Sequence, residues 1–353
     1  MRLAPTLFLL TLTMLLNAPL FGRVGAENDI YIVCHTQIGG KFISTELIRY
    51  MMEELNAVSG INLIVYVDDN STEAIDEAIA NLKRYLDALR DYKIIVQAWY
   101  LFEEYGTYVE PFWKYPIECY SEQFYNEWYG KLASLLSKYP NVVGFIGYNE
   151  PYHHFTDPDD ALTVCKREYT IWKKYSNLPF STEINMPNQF WRKKWNEEPT
   201  GILNDYIVPL WQGYSDYIGI NLWVDEHPPS SGEDPNYKQR YEQVKYICTY
   251  YSEKFGKPWL IAEFPCWHPE LVKELWRSSV LILYKLWDWN PSDEVPDYSM
   301  FVINSTSLDV SPTLAYERFC EIVNPVNQTY EVIYCLVSVM VILIIIGKIK
   351  GGM

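Results

Sequence analysis

At 353 residues, 49% of them apolar, the chain has enough hydrophobic mass for one large domain or two average ones, which excludes a disordered protein. A formal charge of −16 excludes nucleic acid, whose phosphates need a basic footprint, and docking of the body on anionic lipid. With 30 Tyr and 13 Trp, flat rings are available both for a core and for stacking on sugar faces.

The N-terminus opens with Arg2, an apolar stretch centred on Leu7 to Leu16, and small residues at Val24-Gly25-Ala26 before Glu27, the three-part layout of a signal peptide over residues 1–26. Strand-like runs then alternate with segments of helical period. Asp29 to His35 is a first strand, followed by a helix from Thr45 to about Val58. Asn62 to Asp68 is the second strand. Its helix carries Ile75, Ile79, Leu82, Leu86 and Leu89 at spacings of three and four, with Ser71 or Thr72 as N-cap.

Lys93 to Trp99 is the third strand, and Phe124, Trp128, Leu132 and Leu135 mark the next helix. Asn141 to Tyr148 is the fourth, with Asp157-Pro158 starting a helix after it. Pro179 to Ile184 is the fifth, with a helix near Ile202 to Trp211. Tyr217 to Leu222 is the sixth, and its helix stops at Gly256 before Pro258. Pro258 to Ala262 is the seventh, with a helix from near Pro269. Ile282 to Trp287 is the eighth, and Pro312 to Val323 the last helix. Eight strand–helix repeats with apolar strands predict a closed (β/α)8 TIM barrel of the α/β class over residues 27–325.

A short juxtamembrane linker, 326–331, leads to the uncharged apolar run from Val332 to Gly347. Ile349 extends it and Lys348 and Lys350 flank it, which reads as a transmembrane helix over 332–349. Basic residues after the span place the tail, 350–353, in the cytoplasm and the body outside. The sequons at Asn70, Asn304 and Asn327 agree with a glycoprotein of the cell membrane. Six cysteines outside the span (Cys34, Cys119, Cys165, Cys248, Cys266 and Cys320) permit disulfides in 15 pairings or stand as buried thiols; their spacings match no zinc motif, so no metal site is expected.

In such barrels the strand C-termini and the loops after them build the active face. The candidates there are His35, Asp68, Asp69, Trp99, Asn149, Glu150, Glu183, Asn185, Asn221, Trp223, Glu263, Trp287 and Asp288. Glu150 and Glu263 terminate strands four and seven in the same chemical manner, in Tyr-Asn-Glu-Pro and Ile-Ala-Glu-Phe. Glycosidic cleavage needs one carboxyl group that protonates the leaving oxygen and another that faces the anomeric carbon. At about 5–5.5 Å separation the second attacks directly and configuration is retained.

Asn149-Glu150-Pro151, Ile261-Ala262-Glu263-Phe264, Trp287 and the Ser311-Pro312-Thr313-Leu314-Ala315-Tyr316 turn resemble the motifs of the glycoside hydrolase clan A superfamily, over roughly Asp29 to Val323. The resemblance implies retaining hydrolysis of a β-linked glucan, mannan or related glycan, with Glu150 as acid/base, its pKa raised, and Glu263 as nucleophile. It implies that Asn149 binds the hydroxyl beside the anomeric carbon, that Trp287 floors the −1 sugar, and that no cofactor is required. Trp223 stands where many members carry a Tyr that bonds the nucleophile, Asn221 is an alternative orienter of Glu263, and Trp99 and His35 complete the substrate-binding set. His153 and His154 stand in for the histidine that many members carry near strands three and four.

The expected partners are an oligo- or polysaccharide and the membrane, through the C-terminal helix; no protein partner is implied. Rival readings are a catalytically silent carbohydrate-binding barrel, against which the presence of both glutamates argues, and a transglycosylase using the same carboxylate pair.

Overall fold

A computed structural model of the chain describes residues 30–38, 41–55, 60–102, 104–109, 112–185, 203–222, 237–264, 280–285, 287–288, 301–303 and 310–312. In chain order, β1 (Ile30–His35) is followed by a hairpin of β2 (Gln37–Ile38) and β3 (Lys41–Phe42), then α1 (Thr45–Glu54), β4 (Gly60–Val67) and α2 (Thr72–Ala88). β5 (Lys93–Tyr100) leads into a second hairpin, β6 (Thr107–Val109) with β7 (Phe112–Lys114), and then α3 (Glu122–Leu136). β8 (Val142–Asn149), α4 (Pro151–His154), α5 (Pro158–Tyr175) and β9 (Phe180–Asn185) come next. A π-helical turn, Leu203–Ile207, opens α6 (Val208–Gly213), followed by β10 (Ile218–Asn221), α7 (Tyr237–Phe255), β11 (Trp259–Phe264) and β12 (Val280–Lys285). β13 (Trp287–Asp288), β14 (Phe301–Ile303) and β15 (Val310–Pro312) form a small sheet of their own.

The helices start where side chains can satisfy their first amides. Ser44, Ser71 and Ser121 accept from the amides of Leu47, Ala74 and Phe124, and Asp157 accepts from Asp159 ahead of Pro158. Eight parallel strands close the barrel in the order β1-β4-β5-β8-β9-β10-β11-β12, as the eight repeats predict.

Alternation along each strand divides two apolar clusters. Tyr31, Val33, Ile64, Ile95, Ile146, Leu260 and Ala262 fill the lumen. Their outward neighbours, among them Ile32, Leu63, Val65 and Val96, pack under the helices with the fully buried Trp128, Trp172 and Trp211. Truncating any of these three indoles to Ala would cost roughly 3–5 kcal/mol, so the helical shell is a principal source of stability.

Two irregularities bear on the site. Against β9, Ile146 pairs with Ser181 but Asn149 with Glu183, so β8 carries one extra residue across Gly147–Tyr148. Against β10, Ile261 pairs with Ile220 but Glu263 with Asn221, so β11 carries one extra residue just before Glu263. The pairing of β11 with β12 shows the same shift. Each is a β-bulge, which re-aims the side chains beyond it. The two strands that end in glutamate are thus the two that are bulged immediately before it.

Several boundaries depart from expectation. The eighth strand runs Val280–Lys285, and Trp287 belongs instead to β13, parallel to β14, which pairs antiparallel with β15. Val310–Pro312 is therefore strand where the entry to the last helix was expected. The two hairpins were not anticipated, because strands of two or three residues are too short to show alternation.

Cys34, Cys119, Cys165 and Cys248 are buried thiols. Residues 1–29 and 313–353, the helix expected after Pro269, Cys266 and Cys320 lie outside the described residues. Among the described residues no helix is long and apolar enough to cross a membrane.

Candidate active site

The bulge in β8 sets up an unusual turn. Glu150 has φ +49° and ψ +53°, the left-handed region that costs a non-glycine residue of order 1 kcal/mol or more. Its neighbours over-determine the conformation. The Glu150 amide donates to the Glu183 carbonyl at 3.1 Å, the His153 amide donates back to the Glu150 carbonyl at 2.9 Å, and Pro151 occupies the first turn of α4. Strand ladder and helix start therefore meet on this one residue.

Two side chains hold its carboxylate. Asn221 at the end of β10 donates from Nδ2 to Glu150 Oε1 at 2.8 Å, and also reaches Asn149 Oδ1 at 3.5 Å. His153 Nδ1 lies 3.2 Å from Glu150 Oε2. The Glu150 and His153 side chains are 13% and 11% exposed, open enough to meet a ligand and closed enough for charge to matter.

Burial raises the carboxyl pKa. The hydrogen bond and charge of His153, the Asn221 amide and His154 together outweigh it, and the net direction is down. This corrects the expectation of a raised pKa at Glu150, because side-chain donors stand at both carboxylate oxygens. It also revises the role expected of Asn221, whose amide bonds Glu150. Through strand register Asn221 is still the residue beside Glu263 on the neighbouring strand.

His154 serves the frame. Its Nδ1 donates to the Trp113 carbonyl at 3.1 Å, its ring stacks on Tyr115, and burial lowers its pKa. Together with Lys114 Nζ on the His153 carbonyl and the Tyr115 amide on the His154 carbonyl, it ties the β6–β7 hairpin to α4.

At the barrel mouth, His35 Nδ1 bonds the Tyr66 hydroxyl at 2.6 Å, and its ring meets Trp99 edge-on at 4.9 Å. Trp99 Nε1 is buried and has no hydrogen-bond partner among the described residues. Below this layer Asn62 Nδ2 donates to Gln97 Oε1 at 2.5 Å, and Gln97 Nε2 donates to the fully buried Glu183 at 2.8 Å. The lumen thus changes from apolar to polar one layer beneath Glu150.

No family model and no curated protein matches the sequence. Solved structures do match the fold. A hyperthermophilic β-glucosidase from Pyrococcus furiosus superposes at TM-score 0.56 and 9% identity, covering 85% of this chain and 95% of that one. The chain shares its barrel fold with β-glycosidases of known structure. A family 1 β-glucosidase from Thermotoga maritima follows at TM-score 0.52 and 9% identity, over 84% and 97% of the two chains. A β-glucuronidase from an uncultured Clostridium gives TM-score 0.50 at 12% identity, over 84% of this chain and 50% of that one. The (β/α)8 barrel that the strand-end motifs imply is therefore met by the architecture.

In this barrel, Asn149, Glu150 and Asn221 form one hydrogen-bonded group, and His35, Tyr66 and Trp99 form a second group joined by the His35–Tyr66 bond and ring contacts. The backbone of Glu263 lies in β11 opposite Asn221. Its side chain and that of Trp287 lie outside the described residues, as does Trp223 entirely. Trp287 is on the small sheet, off the end of the eighth barrel strand. Asp69 Oδ1 accepts from the Ser71 amide, a local turn that begins α2. Glu183 is buried at the floor of the site, away from the surface. Tyr66 and Gln97 were not anticipated. Inward parity counted back from Trp99 identifies Gln97, and counted from Ile64 identifies Tyr66.

Proposed function

We propose that this chain is a retaining glycoside hydrolase that cleaves β-linked glycans by double displacement. The observation that carries the reading is the Asn149–Glu150–Asn221 group at the bulged end of β8, with Glu263 in register beside Asn221 at the bulged end of β11. A clan A type of barrel supports it as the scaffold that brings strands four and seven to one face.

In the first step the Glu263 carboxylate attacks the anomeric carbon. The C–O bond to the leaving group breaks, and the Glu150 proton goes to the departing oxygen. In the second, Glu150 as carboxylate takes a proton from water, whose oxygen attacks the same carbon and releases Glu263. Asn149 binds the hydroxyl next to that carbon. The donors on Glu150 favour its role as base. Its role as acid needs the proton that a bound sugar, by displacing water, and the facing Glu263 charge both bring. His35, Tyr66 and Trp99, on the consecutive strands β1, β4 and β5 beside β8, present a hydroxyl-reading edge, with the Trp99 indole N–H, unpartnered among the described residues, as one donor. The substrate class proposed is a β-linked glucan, mannan or related oligosaccharide.

Activity on a panel of aryl β-glycosides and β-glycans tests the reading. Glu263→Ala should lose about a thousandfold or more in kcat/KM, and Glu150→Gln should spare substrates with activated leaving groups. An active wild type whose Glu263→Ala variant keeps more than about a tenth of its rate would sink the assignment.

The location proposed is the outer face of a cell membrane, with Val332 to Ile349 as anchor, on the strength of the apolar run and its flanking lysines. Full-length protein should require detergent for extraction and a chain ending at Asn324 should not. Extraction of both without detergent would remove the anchor.

A further inference from the structure

Glu168 on α5 is fully buried between that helix and the outer face of the barrel wall, and nothing in the reaction described above uses it. Among the described residues its surroundings hold no cation. Oε1 accepts from the hydroxyls of Tyr100 on β5 and Tyr129 on α3, at 2.8 and 2.5 Å, and those hydroxyls lie 3.0 Å from each other. Tyr120, Tyr125 and Cys165 are the other titratable groups near enough to feel its charge, all of them neutral acids. A carboxyl in such a place is held by hydrogen bonds alone, where an apolar side chain would ordinarily pack.

The remaining bond is the informative one. Glu168 Oε2 accepts from the backbone amide of Tyr148 at 2.9 Å. Tyr148 is in the bulge of β8, where Gly147 and Tyr148 together span the place of Thr182 on β9, so its amide has left the ladder and needs another acceptor. Gly147 gives the carboxyl its space: a Cβ there would stand 2.6 Å from Glu168 Oε2 and 2.5 Å from the Phe180 ring. Two residues further on, Asn149 and Glu150 turn into the lumen.

We propose that Glu168 is a positioning residue for the acid/base: by taking the Tyr148 amide it holds the bulge that aims Asn149 and Glu150, from behind the barrel wall and without touching substrate. The proposal rests on the glycosidase reading for its consequence in catalysis, but the bulge and its acceptor stand independently of that reading. The carboxyl is pushed up to about 7 by burial, and the protonated form can still offer Oε2 to the amide while its proton lies between Oε1 and the tyrosine hydroxyls. The contact therefore survives neutralisation, and glutamine preserves its acceptor.

The test compares wild type, Glu168→Gln and Glu168→Leu on two β-glycosides, one with a dinitrophenyl leaving group that departs without a proton and one with a plain alkyl leaving group that needs it. Glu168→Leu should lose about a hundredfold in kcat/KM on the alkyl glycoside and no more than about tenfold on the dinitrophenyl one, the smaller loss reporting Asn149, whose hydroxyl contact both substrates use. Glu168→Gln should stay within about threefold on both. Equal losses on the two substrates, or no loss in a folded Glu168→Leu, overturn the proposal.

Amide hydrogen exchange at Tyr148 provides a readout that needs no substrate. Protection in wild type and Glu168→Gln that drops at least about tenfold in Glu168→Leu supports the role; unchanged protection refutes it. Should Glu168→Leu not fold, Gly147→Ala displaces the same carboxyl and is read in the same way. A wild type inactive on every glycoside would remove the glycosidase reading, and the exchange data would still decide the bulge.

Discussion

Glu150 combines three demands on one residue: the end of a ladder, the start of a helix, and a left-handed backbone that only surrounding bonds can maintain. The tripeptide Asn-Glu-Pro shows none of this, because φ at Glu150 depends on the Glu183 carbonyl, distant in sequence. The direction of its pKa was likewise hidden. His153 is three residues on, the spacing that a single helical turn brings back to face residue 150, but the turn had to be known before the contact could be read.

The charge and hydrogen bond of His153 lower the Glu150 pKa, and glycosylation needs that carboxyl protonated, so activity falls as pH rises through it. Removing the donor raises the pKa. His153→Phe should therefore move the alkaline limb of the kcat/KM profile to higher pH. A limb that stays in place in the variant would show that His153 does not set the acid. Tyr66 and Gln97 are not strand-terminal, so a reading of strand ends passes over them, whereas inward parity selects every second residue.

At the scale of elements, the long strands were legible as apolar runs buried on both faces, and the helices as stripes buried on one. The runs in β4 and β5, the stripe in α2 and the serine caps are local patterns with local causes. The bulges in β8 and β11 were not legible, since an extra residue is defined only against the partner strand. The β6–β7 hairpin was missed for its brevity, yet it fastens α4 through Lys114, Trp113 and Tyr115 and so supports the turn that carries Glu150. Its outer residues Tyr105, Tyr108 and Val109 are exposed at the same face.

For the molecule as a whole, the buried Glu168 links stability to pH. Its pKa rises from 4.5 in the unfolded chain to about 7 in the barrel, so the folded state binds a proton that the unfolded state has already released between those values. The stability associated with the protonated form is complete below 4.5 and lost as pH rises through about 7, a change of roughly 3 kcal/mol. Urea midpoints of wild type should fall relative to Glu168→Gln between about pH 5 and pH 8, and parallel midpoints across that interval would contradict a buried carboxyl.

The sequence by itself determined the eight-fold alternation, the strands that end in Glu150 and Glu263, and an acidic surface that excludes nucleic acid, because these depend on composition and on periods of two and 3.6 residues. Only the tertiary structure decided that Asn221 holds Glu150, that Trp287 leaves the barrel for a small sheet, and that a carboxyl behind the wall accepts from the bulged strand just before Glu150. Those facts turn on register and on contacts between residues 70 or more apart, or across a helix–strand interface. No local pattern encodes them, since each is set by where closure of the barrel brings separate strands.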